Sequence, residues 1–340
     1  MTAALIAGLS GGVLTKVERD FFRDVQPAGV ILFGRNVLEP QRIKPLVDDV
    51  CDAIGRDDVL VLIDQEGGRV QRLKPPAARD LPPGAAYAEL YKRDPAAAQT
   101  AAFQIARLVA EELKRYGINT NCAPVVDVPV AGAHDVIGDR AYGRDPDQII
   151  ALARAVANGY TAGGVVPVIK HIPGHGRATT DSHFDLPVVT TTHAVLSKTD
   201  FVPFKALSDL PAAMTAHVVF SALDPAYPAS TSKRVTADIM RCEIGFDGLL
   251  MSDDLSMKAL KGSMRMRAED VIRAGSDVAL HCNGDLTEMR AAAEGVPELS
   301  GRALDRFAAA WAVTRQSAPF DSDDAILQLT SLMRAAARLA

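Results

Sequence analysis

Between Lys170 and His183 the chain places three of its seven histidines, with Lys170, Arg177 and Asp181, in fourteen residues. Packing does not call for that concentration. The stretch Lys170-His171-Ile172-Pro173-Gly174-His175-Gly176-Arg177 leaves a short apolar run, Val165 to Ile169, through a proline and two glycines that end regular structure. A polar, glycine-rich loop at the end of a buried strand is where α/β enzymes keep their chemistry. A second exit of this kind, Met251-Ser252-Asp253-Asp254, closes another apolar run. The two read as halves of one active site. Of Asp253 and Asp254 only one needs to be catalytic, since the other can cap the helix that follows.

Further polar residues sit where apolar runs end: Arg35 and Asn36, then Asp64, Glu66 and Arg72, then Asp127 and Arg140, then His217. Such a collection suits a ligand rich in hydroxyls, because each hydroxyl donates and accepts. Each also has a plainer reading. Asp64 can cap a strand end, Arg72 and Arg140 can form surface ion pairs of little energetic value, and His217 can be a buried, hydrogen-bonded histidine. His171, His175 and His183 with Asp181 are ligand types that zinc accepts. Their spacing crosses Pro173, Gly174 and Gly176 and fits neither one helix nor a finger, so no metal and no cofactor is expected.

The elements that must position these residues are short strands alternating with helices. Strands are expected at Ala3–Leu9, Gly29–Phe33, Val59–Ile63, Asn119–Ala123, Val165–Ile169, Ala212–Thr215, Gly248–Met251 and Asp277–Leu280. Helices are expected at Thr15–Val25, Pro40–Ile54, Pro95–Tyr116, Asp147–Ala162, Ser232–Glu243, Arg265–Ala274 and Leu286–Ala293, in part of Thr192–Leu207, and twice after Ser300. Lys74 to Gly84 reads as a proline-rich loop. Continuous apolar strands are those of a buried parallel sheet. Eight strand–helix units within about 300 residues fit an α/β fold of the (β/α)8 TIM-barrel type better than an open doubly wound sheet, since no GxGxxG follows the first strand. No Gly-, Ser- or Pro-rich linker divides the chain, so residues 1–340 are expected to form one barrel domain with C-terminal helices from about 300 to 340.

Thirty-seven basic against 42 acidic residues leave a net charge of −5 and no basic stripe, which speaks against nucleic acid. The four cysteines are far apart and form no CxxC pair, so a disulfide framework is not expected and a reducing compartment is. The N-terminus has no charged segment ahead of an apolar run, and no run approaches the ~18 residues of a membrane span. A cytoplasmic protein acting on a small molecule, without a membrane or nucleic-acid partner, is the expectation, and a monomer.

The block Lys170-His171-Ile172-Pro173-Gly174-His175-Gly176-x4-Asp181-Ser182-His183 resembles the signature of bacterial β-N-acetylglucosaminidases of glycoside hydrolase family three, the NagZ type. The resemblance continues at Asp64-Gln65-Glu66-Gly67-Gly68-Arg69-Val70-Gln71-Arg72, at Ile137-Gly138-Asp139-Arg140-Ala141-Tyr142, and at Gly245-Phe246-Asp247-Gly248 followed by Ser252-Asp253-Asp254-Leu255-Ser256-Met257. These blocks cover about two-thirds of the chain. Departures are Ile172 where the family usually has Phe, Gly34 in place of Thr, and His281-Cys282-Asn283-Gly284 at the last strand end. The resemblance implies a barrel and a retaining mechanism through a glycosyl-enzyme. It implies Asp253 as nucleophile, His183 as general acid/base and Asp181 as its partner. It implies Asp64, Arg72, Arg140, Lys170, His171 and His217 as sugar-binding positions. The implied substrate is a muropeptide-derived saccharide, GlcNAc–1,6-anhydro-MurNAc with or without peptide, cleaved during cytoplasmic peptidoglycan recycling.

The implied pairing is chemically sound. Retaining glycosidases usually use two carboxylates, but a histidine with an ordinary pKa of about 6.5 can give a proton in one step and take one from water in the next. Asp181 would orient it, as carboxylates do in other Asp–His pairs. Gly174 and Gly176 suggest a loop that moves to bring His183 into reach. The alternatives are a β-glucosidase-like hydrolase of the same broad family, a metal-dependent barrel hydrolase and a silent sugar-binding protein.

Overall fold

The computed structural model describes residues 2–182 and 185–338. Eight parallel strands close into a barrel: β1 (Ala3–Gly8), β2 (Pro27–Leu32), β3 (Leu60–Ile63), β4 (Thr120–Asn121), β5 (Val166–Ile172), β6 (Ala212–Thr215), β7 (Leu249–Asp254) and β8 (Val278–His281). They follow one another around the barrel in chain order, and β8 pairs with β1 through Leu5, Ile6 and Ala7 against Ala279, Leu280 and His281. This is the (β/α)8 architecture that the alternation of runs predicts. The bounds of every strand but β6 move by one to three residues, and two of these shifts matter to the site. β5 continues past Ile169 to Ile172, and β7 past Met251 to Asp254, so the polar residues assigned to loops are the last residues of strands. Helices at Gly84–Arg93 and Pro95–Arg115 join β3 to β4, and the first of them lies where no helix is expected. The Thr192–Leu207 region divides into His193–Lys198 and Phe201–Ala206. Among the described residues no helix is long and apolar enough to cross a membrane.

Side chains of a strand alternate between faces, and here the alternation separates two cores. Ala4 and Ile6, Leu60 and Leu62, Val166 and Val168, Leu249 and Met251, and Val278 and Leu280 share the cluster inside the barrel. Leu5, Val61, Ile169, Leu250 and Ala279 face the helices in the outer cluster. Phe307 and Ala310 of the helix Gly301–Val313 join the inner cluster. The Ala4 amide donates to Pro297 O at 2.9 Å and the Leu299 amide to Thr2 O at 2.7 Å, so this helix is tied to the N-terminal end of the strands. The C-terminal end is left for the site.

Helix ends are fixed by local chemistry. Before the helix Lys16–Val25, the Thr15 hydroxyl accepts from the Glu18 amide at 3.2 Å and Glu18 accepts from the Thr15 amide at 3.0 Å, a reciprocal cap. Glu18 also accepts from the Ser10 amide at 2.9 Å, tying the loop after β1 to the helix that follows it.

Candidate active site

Continuing the inward phase of the odd strands by one more layer leads from apolar to charged side chains. Leu62 on β3 is followed two residues on by Asp64, Val168 on β5 by Lys170, and Met251 on β7 by Asp253. Alternate strands supply the side chains of one barrel layer. The uppermost layer is therefore polar, and all three residues line a cavity of about 140 Å³ at the C-terminal end. Glu66, Arg72, Arg140, His171, His175 and Ser182 line it as well. A larger open groove, about 490 Å³, lies between Phe103, Arg154 and Phe320 on the helical exterior and has no comparable convergence of charges.

On the β3–β5 side the charges interlock. Lys170 Nζ donates to Asp64 Oδ1 at 2.9 Å and lies 2.6 Å from Glu66 Oε1. Arg72 donates to Asp64 Oδ2 at 3.0 Å. Arg140 grips both Glu66 oxygens, each at 2.8 Å, the bidentate fork that guanidinium geometry favours. Lys170 is 2 % exposed, so these charges are out of water and must be paired. Burial works against the charge on Asp64, but Lys170 and Arg72 together hold its carboxyl far below the usual range. Burial likewise opposes the charge on Glu66, and Lys170 and Arg140 overcome it. Burial also disfavours the Lys170 ammonium, and Asp64 and Glu66 raise its pKa nonetheless. Lys170 keeps a third N–H for a ligand beyond its two carboxylates.

His171 is held from behind. Asp127, fully buried, accepts the His171 amide at 3.2 Å and lies 2.6 Å from Nδ1 through its other oxygen. A carboxylate held in its charged form only accepts, so Nδ1 carries the proton and Nε2 is the ring's remaining polar atom. Burial opposes the Asp127 charge, and His171 offsets it and lowers the pKa. The same carboxylate accepts the His175 amide at 2.6 Å.

On β7 the two adjacent carboxylates part. Asp253 keeps the inward phase and faces the cavity, its Oδ1 accepting the Asp254 amide at 2.8 Å. The Asp254 carboxylate is taken up by the amides of Ser256 and Cys282, each at 3.0 Å, and by the Ser256 hydroxyl. It braces the turn after β7 and ties it to the end of β8.

Of the sequence-level candidates, Asp64, Arg72, Arg140, Lys170, His171 and Asp253 meet around one cavity. His217 does not. It is 0 % exposed, with Nδ1 2.7 Å from Ser230 Oγ and Nε2 3.0 Å from Asp254 O. A carbonyl only accepts, so Nε2 carries the proton and Nδ1 accepts from Ser230. Both ring nitrogens are spent on the frame behind β7, which corrects its expected role in sugar binding. His183 lies outside the described residues, and its pairing with Asp181 with it. Among the described residues no three or more His, Cys, Asp or Glu side chains converge as metal ligands would.

The glycines of the loop also have a different reason from the expected freedom. A Cβ on Gly176 would stand 2.1 Å from Val128 O, and Gly174 has φ +139°, so both are required by a fixed path. Backbone bonds from Val130 N to Gly176 O (3.2 Å) and from His134 N to Ala178 O (2.8 Å) pin this part of the loop to the exit of β4. By sequence Glu66 and Asp127 carry no individual role, His175 only that of a zinc-ligand type, and Ser182 none. Glu66 and Asp127 were visible as strand-end carboxylates; nothing in the sequence marks which partners they choose.

Comparison with known proteins bears on the chemistry. Residues 9–310 match the glycosyl hydrolase family 3 N-terminal domain. A protein of Alkalilimnicola ehrlichii named beta-hexosaminidase is 39% identical over 82% of this chain and 80% of its own length. The crystal structure of NagZ from Neisseria gonorrhoeae in complex with N-trifluoroacetyl-D-glucosamine superposes with a TM-score of 0.84 at 31% identity, over 99% of this chain and 96% of that one. A family 3 β-N-acetylglucosaminidase from Paenibacillus sp. str. FPU-7 gives a TM-score of 0.85 at 28% identity over 97% of this chain, which spans 66% of that protein.

Proposed function

Because the chain belongs to the family of glycosyl hydrolase family 3 N-terminal domains, we propose that its cavity cleaves a terminal β-linked N-acetylglucosamine residue by a retaining mechanism. The protein is a glycoside hydrolase, a β-N-acetylhexosaminidase. The observation that carries the mechanism is the division of labour on β7: Asp253 faces the cavity while Asp254 is occupied by the frame. An Asp253 oxygen attacks the anomeric carbon and forms a bond to it as the bond to the leaving oxygen breaks. His183 protonates that oxygen, then takes a proton from water, which attacks the same carbon and releases Asp253. Two inversions restore the β configuration. Asp64, Arg72, Lys170 and Arg140 hold sugar hydroxyls and the acetamido group with donors and acceptors already fixed in place, so little ordering is left for binding to impose.

The preferred substrate in this reading is GlcNAc–1,6-anhydro-MurNAc, with or without its peptide, met in the cytoplasm by a single-domain monomer. The resemblance of the Asp181-Ser182-His183 block to the NagZ signature supports it, as does the Neisseria relative's complex with a glucosamine derivative. The test is hydrolysis of p-nitrophenyl β-N-acetylglucosaminide beside the β-glucoside, with wild type and Asp253→Ala. Cleavage of the N-acetyl substrate alone, lost in the variant, is expected. Equal cleavage of both sugars overturns the specificity, and full activity in Asp253→Ala overturns the nucleophile.

A further inference from the structure

Ser182 stands between the two residues assigned to proton transfer, yet its own side chain is 3 % exposed and faces inward. Its Oγ lies 3.3 Å from His175 Nε2 and 3.8 Å from Met257 Sδ. Its carbonyl accepts the Ala259 amide at 3.3 Å. One residue thus touches two separate segments: the fixed first half of its own loop, through His175, and the turn that follows the nucleophile's strand, through Met257 and Ala259.

Both segments are themselves anchored. His175 hangs from Asp127 by its amide, and burial lowers its pKa to about 4, so the ring is neutral at ordinary pH. Nδ1 finds no partner among the described residues. An unpaired buried acceptor costs less than an unpaired buried N–H, which puts the proton on Nε2, donating to Ser182, whose hydroxyl then donates to Met257. On the other side, the Met257 amide donates to Asp254 O at 3.1 Å, and Arg267 donates to Leu255 O at 2.8 Å and Met257 O at 3.2 Å. The turn carrying Met257 is thereby referred to β7, on which Asp253 sits.

We propose that Ser182 is a positioning residue, a latch that registers the described end of this loop, Asp181 and Ser182, against the turn after Asp253 and so serves the proton transfer assigned to the next residue in sequence. Ser182 is pinned by both its side chain and its carbonyl. The proposal rests on the retaining reading above. Loss of the latch should act on the step that needs a proton and spare the attack by Asp253.

The test is a leaving-group comparison with Ser182→Ala and Ser182→Thr on 4-methoxyphenyl and 2,4-dinitrophenyl β-N-acetylglucosaminides. For Ser182→Ala, kcat/KM should fall about tenfold on the methoxyphenyl substrate, a fraction of the ~10²–10⁴ that a general acid contributes, but no more than about twofold on the dinitrophenyl one, whose phenolate leaves unaided. Ser182→Thr, which keeps the hydroxyl, should recover most of the loss. Equal losses on the two substrates, or none, overturn the latch; a purely structural role lowers both alike. Should Ser182→Ala fail to fold, the volume-conserving Met257→Leu breaks the same hydroxyl contact and is expected to show the same split. Wild type inactive on both substrates would count against the proposed function instead.

Discussion

The two walls of the cavity are built from different groups. On the β3–β5 wall the two carboxylates of Asp64 and Glu66 are paired with three cations, Lys170, Arg72 and Arg140. On the β7 wall Asp253 faces the cavity and its Oδ1 accepts the Asp254 amide, while the Asp254 carbonyl accepts from the neutral ring of His217. The first wall is built to hold a polyhydroxylic ligand in one orientation, because its donors are immobilised by ion pairs. In the proposed mechanism the second holds one carboxylate against the reacting carbon. In that reading binding and chemistry are separated by strand, within one layer of the same barrel.

The sharpest way to break this comparison is on β7 itself. Asp253→Ala should lower kcat by about 10⁴-fold or more, the scale on which removal of a catalytic nucleophile acts, far beyond any effect of orphaning the Asp254 amide. Asp254→Ala should act mainly on stability. It orphans the Ser256 and Cys282 amides, at a cost of about 1–3 kcal/mol per buried donor, while turnover at moderate temperature falls far less. If kcat collapses in Asp254→Ala and survives in Asp253→Ala, the assignment of the two carboxylates is inverted.

The β3–β5 wall yields a different signature. Lys170→Met removes the cation shared by two buried carboxylates, and breaking a buried pair costs about 3–5 kcal/mol. Melting temperature should drop, KM should rise by about 10²-fold as orientation is lost, and kcat should fall less than KM rises. A kcat loss comparable to that of Asp253→Ala, at unchanged KM, would show that the wall serves chemistry and not binding.

Much of this layout was legible in the sequence, and the gaps have physical causes. Parallel strands buried on both faces carry apolar runs, and seven of the eight announce themselves so; β4 is the polar pair Thr120–Asn121 within the expected Asn119–Ala123, and Ala212–Thr215 is placed without error. The ends of β5 and β7 were cut short because Lys170, His171, Asp253 and Asp254 are polar, and polarity inside a barrel looks like a loop until the partners that satisfy it are known. The helix Gly84–Arg93 has no start signal in the sequence, because it emerges directly from proline-rich chain. Asp64, Lys170 and Asp253 stand out because they end apolar runs; their inward phase, two residues beyond Leu62, Val168 and Met251, could have singled out one of the two adjacent aspartates. His217 ends an apolar run in the same way and turns to the frame, since Ser230, which takes its Nδ1, arrives from thirteen residues downstream. Strand-end position marks candidates; only the tertiary partners sort them.

Acid sensitivity should show the two classes of buried group in sequence. His175 has a folded-state pKa of about 4 and His217 one below its ordinary value, both through burial. Unfolded histidines titrate near 6.5. Between roughly pH 6.5 and 4 the unfolded chain therefore binds more protons, and stability falls as pH falls. Asp64, Glu66 and Asp127 have lowered pKa values, so their contribution is present above about pH 4 and is lost only below it. Melting temperature against pH should decline first gently, then steeply. His175→Asn should flatten the upper limb, with His217 supplying what remains; an unchanged upper limb would mean that His175 is not the group being charged.

The smallest expected effect concerns how the binding wall is aimed. Phe33, at the end of β2, lines the cavity, with the guanidinium of Arg72 5.0 Å from its ring centre and that of Arg35 5.2 Å away. Arg72 is also tied to Asp64, so the ring and the carboxylate fix it from two directions. Arg35 donates to Leu9 O at 2.8 Å and to the Cys282 carbonyl, and so holds Phe33 to the exits of β1 and β8. A cation over an aromatic face is worth about 0.5–1 kcal/mol where partly exposed. Phe33→Leu keeps an apolar side chain but removes both contacts, and should raise KM about two- to fivefold with kcat unchanged, while the Asp64 pair still holds Arg72 in the cavity. Combined with Asp64→Asn, the loss should exceed the sum of the single changes, because Arg72 then has no fixed partner on either side. Strict additivity would mean that the ring and the carboxylate act on the ligand independently, and that the wall is less of a unit than its ion pairs suggest.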